Sequence, residues 1–134
     1  YFKDEKMMLG TETLGMYVAD GLVMPSFLVG YQMSLESIAK IQEYDIESYF
    51  IPHWGLISGE DVQTFFDDSY KGHVLGHDTI VDNYKAGKGH EEIFGLFQDL
   101  YYTPLVQEVY PFAAFKVNTD IQIPMVLREE GLME

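Results

Sequence analysis

Between Val62 and Tyr84 the apolar positions Val62, Phe65, Phe66, Tyr70, Val74, Ile80, Val81 and Tyr84, with Ser69 among them, recur at spacings of three and four. That period predicts one long helix of about seven turns. Gly72 and Gly76 weaken its middle, and Ala86-Gly87-Lys88-Gly89 ends it. A further helix is expected from His90 to Tyr102, burying Ile93, Phe94, Phe97 and Leu100, before Thr103-Pro104 interrupts. Another begins near Pro111, a favourable first helical residue, and carries Phe112, Phe115, Ile121, Met125 and Val126. Pro124 is expected to kink or break it, because proline removes a backbone donor and crowds the preceding turn.

Upstream of Glu60 the pattern shortens. Residues 1–10 read as a β-hairpin, with Lys3-Asp4-Glu5 as its charged turn and Lys6 to Gly10 as its second strand. Starting inside a strand suggests that the sequence begins partway into a larger fold. Residues 16–30 mix Gly, Pro and apolar residues without either period, and read as an ordered loop packing Val23, Met24, Phe27 and Leu28 inward. Tyr31 to Glu43 is helical, with Leu35, Ile38 and Ile41 on one face and Glu36, Lys40 and Glu43 on the other. Tyr44 to Ile51 alternates loosely and has the composition of a buried strand. Ser58 followed by Glu60 and Asp61 is a helix-start signal. His53 is therefore expected at the carboxyl end of a strand, on a loop leading into a helix. That edge is where layered α/β folds commonly bind ligands. Helix, strand, helix is an α/β alternation. Residues 1–59 then carry the ligand-bearing loops, and 60–134 form a helical extension of the same domain. No internal repeat or low-complexity segment is visible.

Composition narrows the chemistry. The 134 residues suffice for one domain with a real core, and 47% apolar with 15% aromatic residues excludes a disordered chain. With no cysteine, any metal must be held by His, Asp or Glu. No apolar run approaches the ~20 residues of a membrane span, and Tyr1-Phe2-Lys3-Asp4 is no signal peptide, so a cytoplasmic protein without a membrane partner is expected. Eight basic against 22 acidic residues give a formal charge of −14, which repels phosphate backbones and makes nucleic acid a poor partner.

Several constellations compete. His73 and His77 have the i, i+4 spacing by which one helix face can hold a transition metal, but they lack the Glu of H-E-x-x-H and a third ligand. A half-buried or solvated pair is the plainer reading. Lys85-Ala86-Gly87-Lys88-Gly89-His90 faintly resembles a phosphate loop, yet follows a helix and lacks the required spacing, so it reads as a helix stop. The aromatic stripes of the last helices read as core, with some left for a pocket or a subunit contact. The favoured pair is Glu12 and His53, each just past an apolar strand. Carboxylate plus imidazole is a mixed O/N donor set suited to Zn²⁺, Fe or Mn²⁺.

In order along the chain, these features resemble the second half of a metallo-β-lactamase-fold hydrolase. Met7-Met8-Leu9-Gly10-Thr11-Glu12-Thr13-Leu14-Gly15 resembles the family's acidic segment, and Phe50-Ile51-Pro52-His53-Trp54-Gly55 its terminal-histidine segment. Val29-Gly30-Tyr31-Gln32, Ser37-Ile38, Gly87-Lys88 and Asn118 are similar to the branch found in anaerobic bacteria. The resemblance implies the C-terminal half of an αββα sandwich, with Glu12 bridging or binding metals, His53 binding the second metal and Trp54 walling the substrate pocket. The family usually has Asp where Glu12 stands, and the extra methylene moves the carboxylate by about an ångström or more. The family's H-x-H-x-D-H motif belongs to the first half and does not occur here. The resemblance thus implies a fragment that is inactive alone, acts on an unidentified small molecule once completed, and associates with itself or with the missing N-terminal half. The alternative is a non-catalytic acidic interaction domain that oligomerises through its aromatic helical tail.

Overall fold

A computed structural model describes all 134 residues. The protein is mixed α/β, with five short strands in two small sheets and five α-helices. Strands β1 (Met7–Leu9), β4 (Ser48–Ile51) and β5 (Gly55–Ser58) form one sheet in the order β1-β4-β5. β1 runs parallel to β4, pairing Leu9 with Phe50, and β5 is antiparallel to β4. Phe2 bridges back to Met7, so the expected N-terminal hairpin is present but very short.

Three expectations upstream of Glu60 are corrected. The region expected to be a loop over 16–30 contains a hairpin, β2 (Met16–Ala19) with β3 (Leu22–Met24), turned at Asp20-Gly21. Asp-Gly is a strong hairpin signal, and Gly21 adopts the positive φ such a turn needs. The strand expected over Tyr44–Ile51 begins only at Ser48, because 42–44 are spent on turns closing the preceding helix, α1 (Tyr31–Ile41). His53 lies in the β4–β5 hairpin, with β5 interposed before helix α2 (Glu60–Lys85); Gly59 rather than Ser58 is the N-cap residue.

The 26-residue α2 joins two cores. Its first turns place Val62, Phe65 and Phe66 against Leu14, Ile38, Tyr49 and Ile51, which covers one face of the three-stranded sheet. Its last turns place Ile80 and Val81 among Val18 of β2, Phe27 of the segment before α1, and Phe97, Phe115 and Val126 of the later helices. Between the two lie Gly72 and Gly76. A Cβ at Gly72 would overlap the Val23 carbonyl, and one at Gly76 the Pro25 ring. These glycines lower helix propensity but let the β2–β3 hairpin lie directly on the helix, which side chains would prevent.

Helices α3 (His90–Tyr101), α4 (Pro104–Val109) and α5 (Phe112–Glu129) complete the chain. Thr103-Pro104 does not merely interrupt: the Thr103 hydroxyl accepts from the Val106 N–H and Pro104 begins α4. α5 continues through Pro124 without a break. No helix is long and apolar enough to cross a membrane.

Candidate functional site

Glu12 and His53 meet. Their backbones each lie three residues beyond the parallel pair Leu9 and Phe50, so the two loops leave the sheet at the same level. Gly10 N–H still donates to the Phe50 carbonyl at 3.0 Å, and the chain then enters a single 3-10 turn, Glu12–Leu14, started by Thr11 and closed by Gly15 at φ 77°. On the other strand, Trp54 N–H donates to the Ile51 carbonyl, with Pro52 and His53 at the two central positions of the turn. His53 has φ 62°, the left-handed region that such a turn prefers to fill with glycine. Non-glycine residues held there cluster at functional sites because something must offset the strain.

Glu12 Oε1 stands 3.5 Å from His53 Nε2. That is beyond the ~2.9–3.0 Å typical of N–H···O hydrogen bonds. It is close to the edge of a metal coordination sphere: two donors ~2.0–2.2 Å from a tetrahedral ion lie about 3.4 Å apart. Both side chains are partly exposed, with the imidazole 33% accessible. The donor set suits a borderline or hard cation. No cluster of three or more His, Asp or Glu converges on a common point, so the chain offers two ligands here and not a full set.

The Glu12 turn is held from behind by α2. Ser69 Oγ donates to the Leu14 carbonyl at 2.6 Å, and His73 Nδ1–H donates to the Ser69 carbonyl at 2.8 Å. His73 is fully buried, and burial holds its imidazole below the usual value of 6.5, against the pull of the Ser69 and Thr13 backbones. The i, i+4 pair of the sequence is thus divided. His77 instead stacks on Tyr31 and reaches Glu130 and Asp78, while His73 is buried and bonds back to the Ser69 carbonyl of its own helix.

Beside the pair, Tyr110 presents its ring edge-on to His53 at 5.7 Å. Burial raises the Tyr110 phenol above its usual pKa, and the Glu12 charge adds to this while the Asn118 hydrogen bond opposes it. Asn118 Nδ2 donates to the Tyr110 oxygen. Glu12, Tyr110, Asn118, Thr119 and Gln122 line one cavity with Met16, Met24 and Phe115. Gln122 Oε1 is itself buried and has no hydrogen-bond partner from the chain.

Trp54 faces elsewhere. It packs on Tyr17 at 5.1 Å and lines a separate groove with Asp20, Asp61 and Asp68. The structure therefore brings Glu12 and His53 together and leaves Trp54 off the cavity that Glu12 lines. Tyr110, Ser69 and Gln122 were not legible as site residues. The available signal was a polar residue inside a buried apolar helix stripe, true of both Ser69 and Gln122. Comparison with models of known families, curated proteins and solved structures finds no match to this chain.

Proposed function

We propose that this chain is part of a metal-dependent hydrolase of the metallo-β-lactamase fold, in which Glu12 and His53 supply two ligands of the metal centre. Zn²⁺ is the first choice, with Fe or Mn²⁺ as alternatives. The remaining ligands come from polypeptide outside these 134 residues, and the substrate is a small molecule. A cytoplasmic setting belongs to the same reading. A metal held there would supply a hydroxide nucleophile near neutral pH. The chain's own residues would hold the ion: the 3-10 turn presents Glu12 Oε1, and the left-handed turn presents His53 Nε2.

The observation that carries the reading is the 3.5 Å spacing of Glu12 and His53 past the ends of two parallel strands. A second observation supports the fold. Leu9, Phe50 and Leu56 form one cross-strand row and are 53%, 42% and 60% exposed, so one face of the sheet carries bare apolar side chains. Such a face suits a layer that packs on a second sheet. Calorimetric Zn²⁺ titration tests the site. Glu12→Gln and His53→Ala are each expected to weaken binding by more than about tenfold. Unchanged binding in both variants would remove the site.

The second reading is a non-catalytic interaction domain acting through its helical tail. It is favoured by Phe112, Val117 and Ile121, which are large, apolar and exposed on α5. Coding sequence for H-x-H-x-D-H upstream of Tyr1 supports the hydrolase, whereas an unrelated upstream domain supports this alternative.

A further inference from the structure

His77 belongs to α2 and sits where that helix meets the start of α1 and the end of α5. Its ring stacks on Tyr31 of α1, 4.0 Å between centroids and 19° between planes. Its Nδ1 lies 2.9 Å from Asp78 Oδ1 on the same helix, and its Nε2 lies 3.1 Å from Glu130 Oε1, just past α5. The adjacent Glu129 accepts from the Tyr31 and Gln32 N–H groups, so the last turn of α5 is fastened to α1 and α2 at once. Beyond it Gly131 turns at φ 67°, and Leu132 packs back on the core. The ion pairs of lysine all lie elsewhere, and Arg128 donates to the Glu134 carbonyl. His77 is therefore the one cation-forming side chain that pairs with Asp78 and Glu130. Tyr31 feels the same negative surroundings: its phenol is raised above its ordinary pKa by burial first, then by Asp78, Tyr70, Glu130 and Glu129.

The proton count decides what this corner can hold. An ionised carboxylate only accepts, and a neutral imidazole has a single N–H. With His77 neutral, one of the two contacts would set a bare ring nitrogen against a carboxylate oxygen. The imidazolium donates from both nitrogens, and its charge also favours the stacked Tyr31 face. Imidazole is the side chain whose ordinary titration falls between pH 5 and 8.

We propose that His77 is a proton-operated clasp: charged, it holds the end of α5 against α1 and α2, and on losing its proton it loosens the turn at Glu129–Leu132 and the cap on α1. Its contribution is full while His77 carries the proton and falls away as pH rises and the proton leaves. The clasp is independent of the metal reading.

Nuclear magnetic resonance on the intact chain tests it. Exchange of the Tyr31 and Gln32 amides with water, corrected for its intrinsic pH dependence, reports the cap, and the heteronuclear NOE of Leu132 reports the turn. Between about pH 5.5 and pH 8.5, protection of both amides is expected to fall about two- to fivefold, the range that a partly exposed ion pair supplies. The Leu132 NOE should fall with it. His77→Gln, which carries no charge at either pH, should show the loosened state at both. Glu130→Gln should stay closed at both, because its amide can donate to the bare nitrogen of a neutral His77 whose other N–H keeps Asp78. A wild-type chain unchanged between the two pH values would overturn the clasp. So would a pH effect undiminished in His77→Gln, which would place the titration on His53, His73 or His90, or one that persists in full in Glu130→Gln.

Discussion

His53 sits where an L-residue pays for its Cβ, at φ 62°, about 1–2 kcal/mol against the left-handed conformation. At an ordinary position, replacing glycine with alanine stabilises a protein; here the sign should invert. His53→Gly is expected to be more stable than His53→Ala by about 1 kcal/mol, measured by urea denaturation. Equal stabilities, or the reverse order, would mean that the turn relaxes and stores no strain. Glu12 lies at the same scale but has a different support. Its carboxylate is placed by a 3-10 turn whose Leu14 carbonyl is held by Ser69, so α2 fixes its position as much as its own loop does. The sequence pointed to both residues through the apolar runs before them. It gave no hint of the strained dihedral, because Pro52-His53-Trp54 lacks the Gly or Asn by which such turns are usually recognised.

Among the elements, α1 shows how a helix end can be finished from far along the chain. Gly30 is its N-cap residue and offers no side-chain acceptor. Glu129, at the end of α5, accepts from the Tyr31 N–H at 2.6 Å and from the Gln32 N–H at 3.0 Å. Two unpaired donors and the positive end of the helix dipole are satisfied by one carboxylate. Glu129→Ala should therefore cost about 1 kcal/mol, in the range of a lost cap, in the urea midpoint. A loss no larger than that of an exposed alanine substitution elsewhere on α5 would show that water replaces the carboxylate. The long helix was legible from its period and the end at Ala86-Gly87 from its breakers. The β2–β3 hairpin escaped because its strands are only four and three residues long, too short for alternation to stand out.

Across the whole molecule, packing is one-sided. The inner face of the three-stranded sheet is closed by α1 and α2 through Ile38, Val62, Phe65 and Phe66. The row Leu9, Phe50 and Leu56 on its outer face is covered by nothing in the chain. Exposed apolar rows of this kind mark contact surfaces, and β5 is the last strand on its side of the sheet. The isolated chain is expected to self-associate in sedimentation experiments, more strongly as salt screens its −14 charge. Phe50→Lys combined with Leu56→Lys should return it to a monomer with an unchanged circular dichroism spectrum. A wild-type chain that is monomeric at every concentration would count against a role for this face.

Local rules sufficed for much of this protein. Spacing of three and four fixed α1, α2 and α3, because side chains three or four apart share a helix face whatever lies beyond it. Charge and the absence of cysteine bounded the ligand chemistry, and the ends of two apolar runs singled out Glu12 and His53. What no local rule contains is the parallel register of Leu9 with Phe50, which sets the two loops level. Nor does it contain the close approach of Val23 that turns Gly72 from a weak helix residue into a required one, the reach of Glu129 to Tyr31, or the cavity left around Gln122. Each of these depends on segments far apart in the chain being packed together. Their free energies belong to pairs of surfaces and not to any single stretch of residues, so only the tertiary structure could decide them.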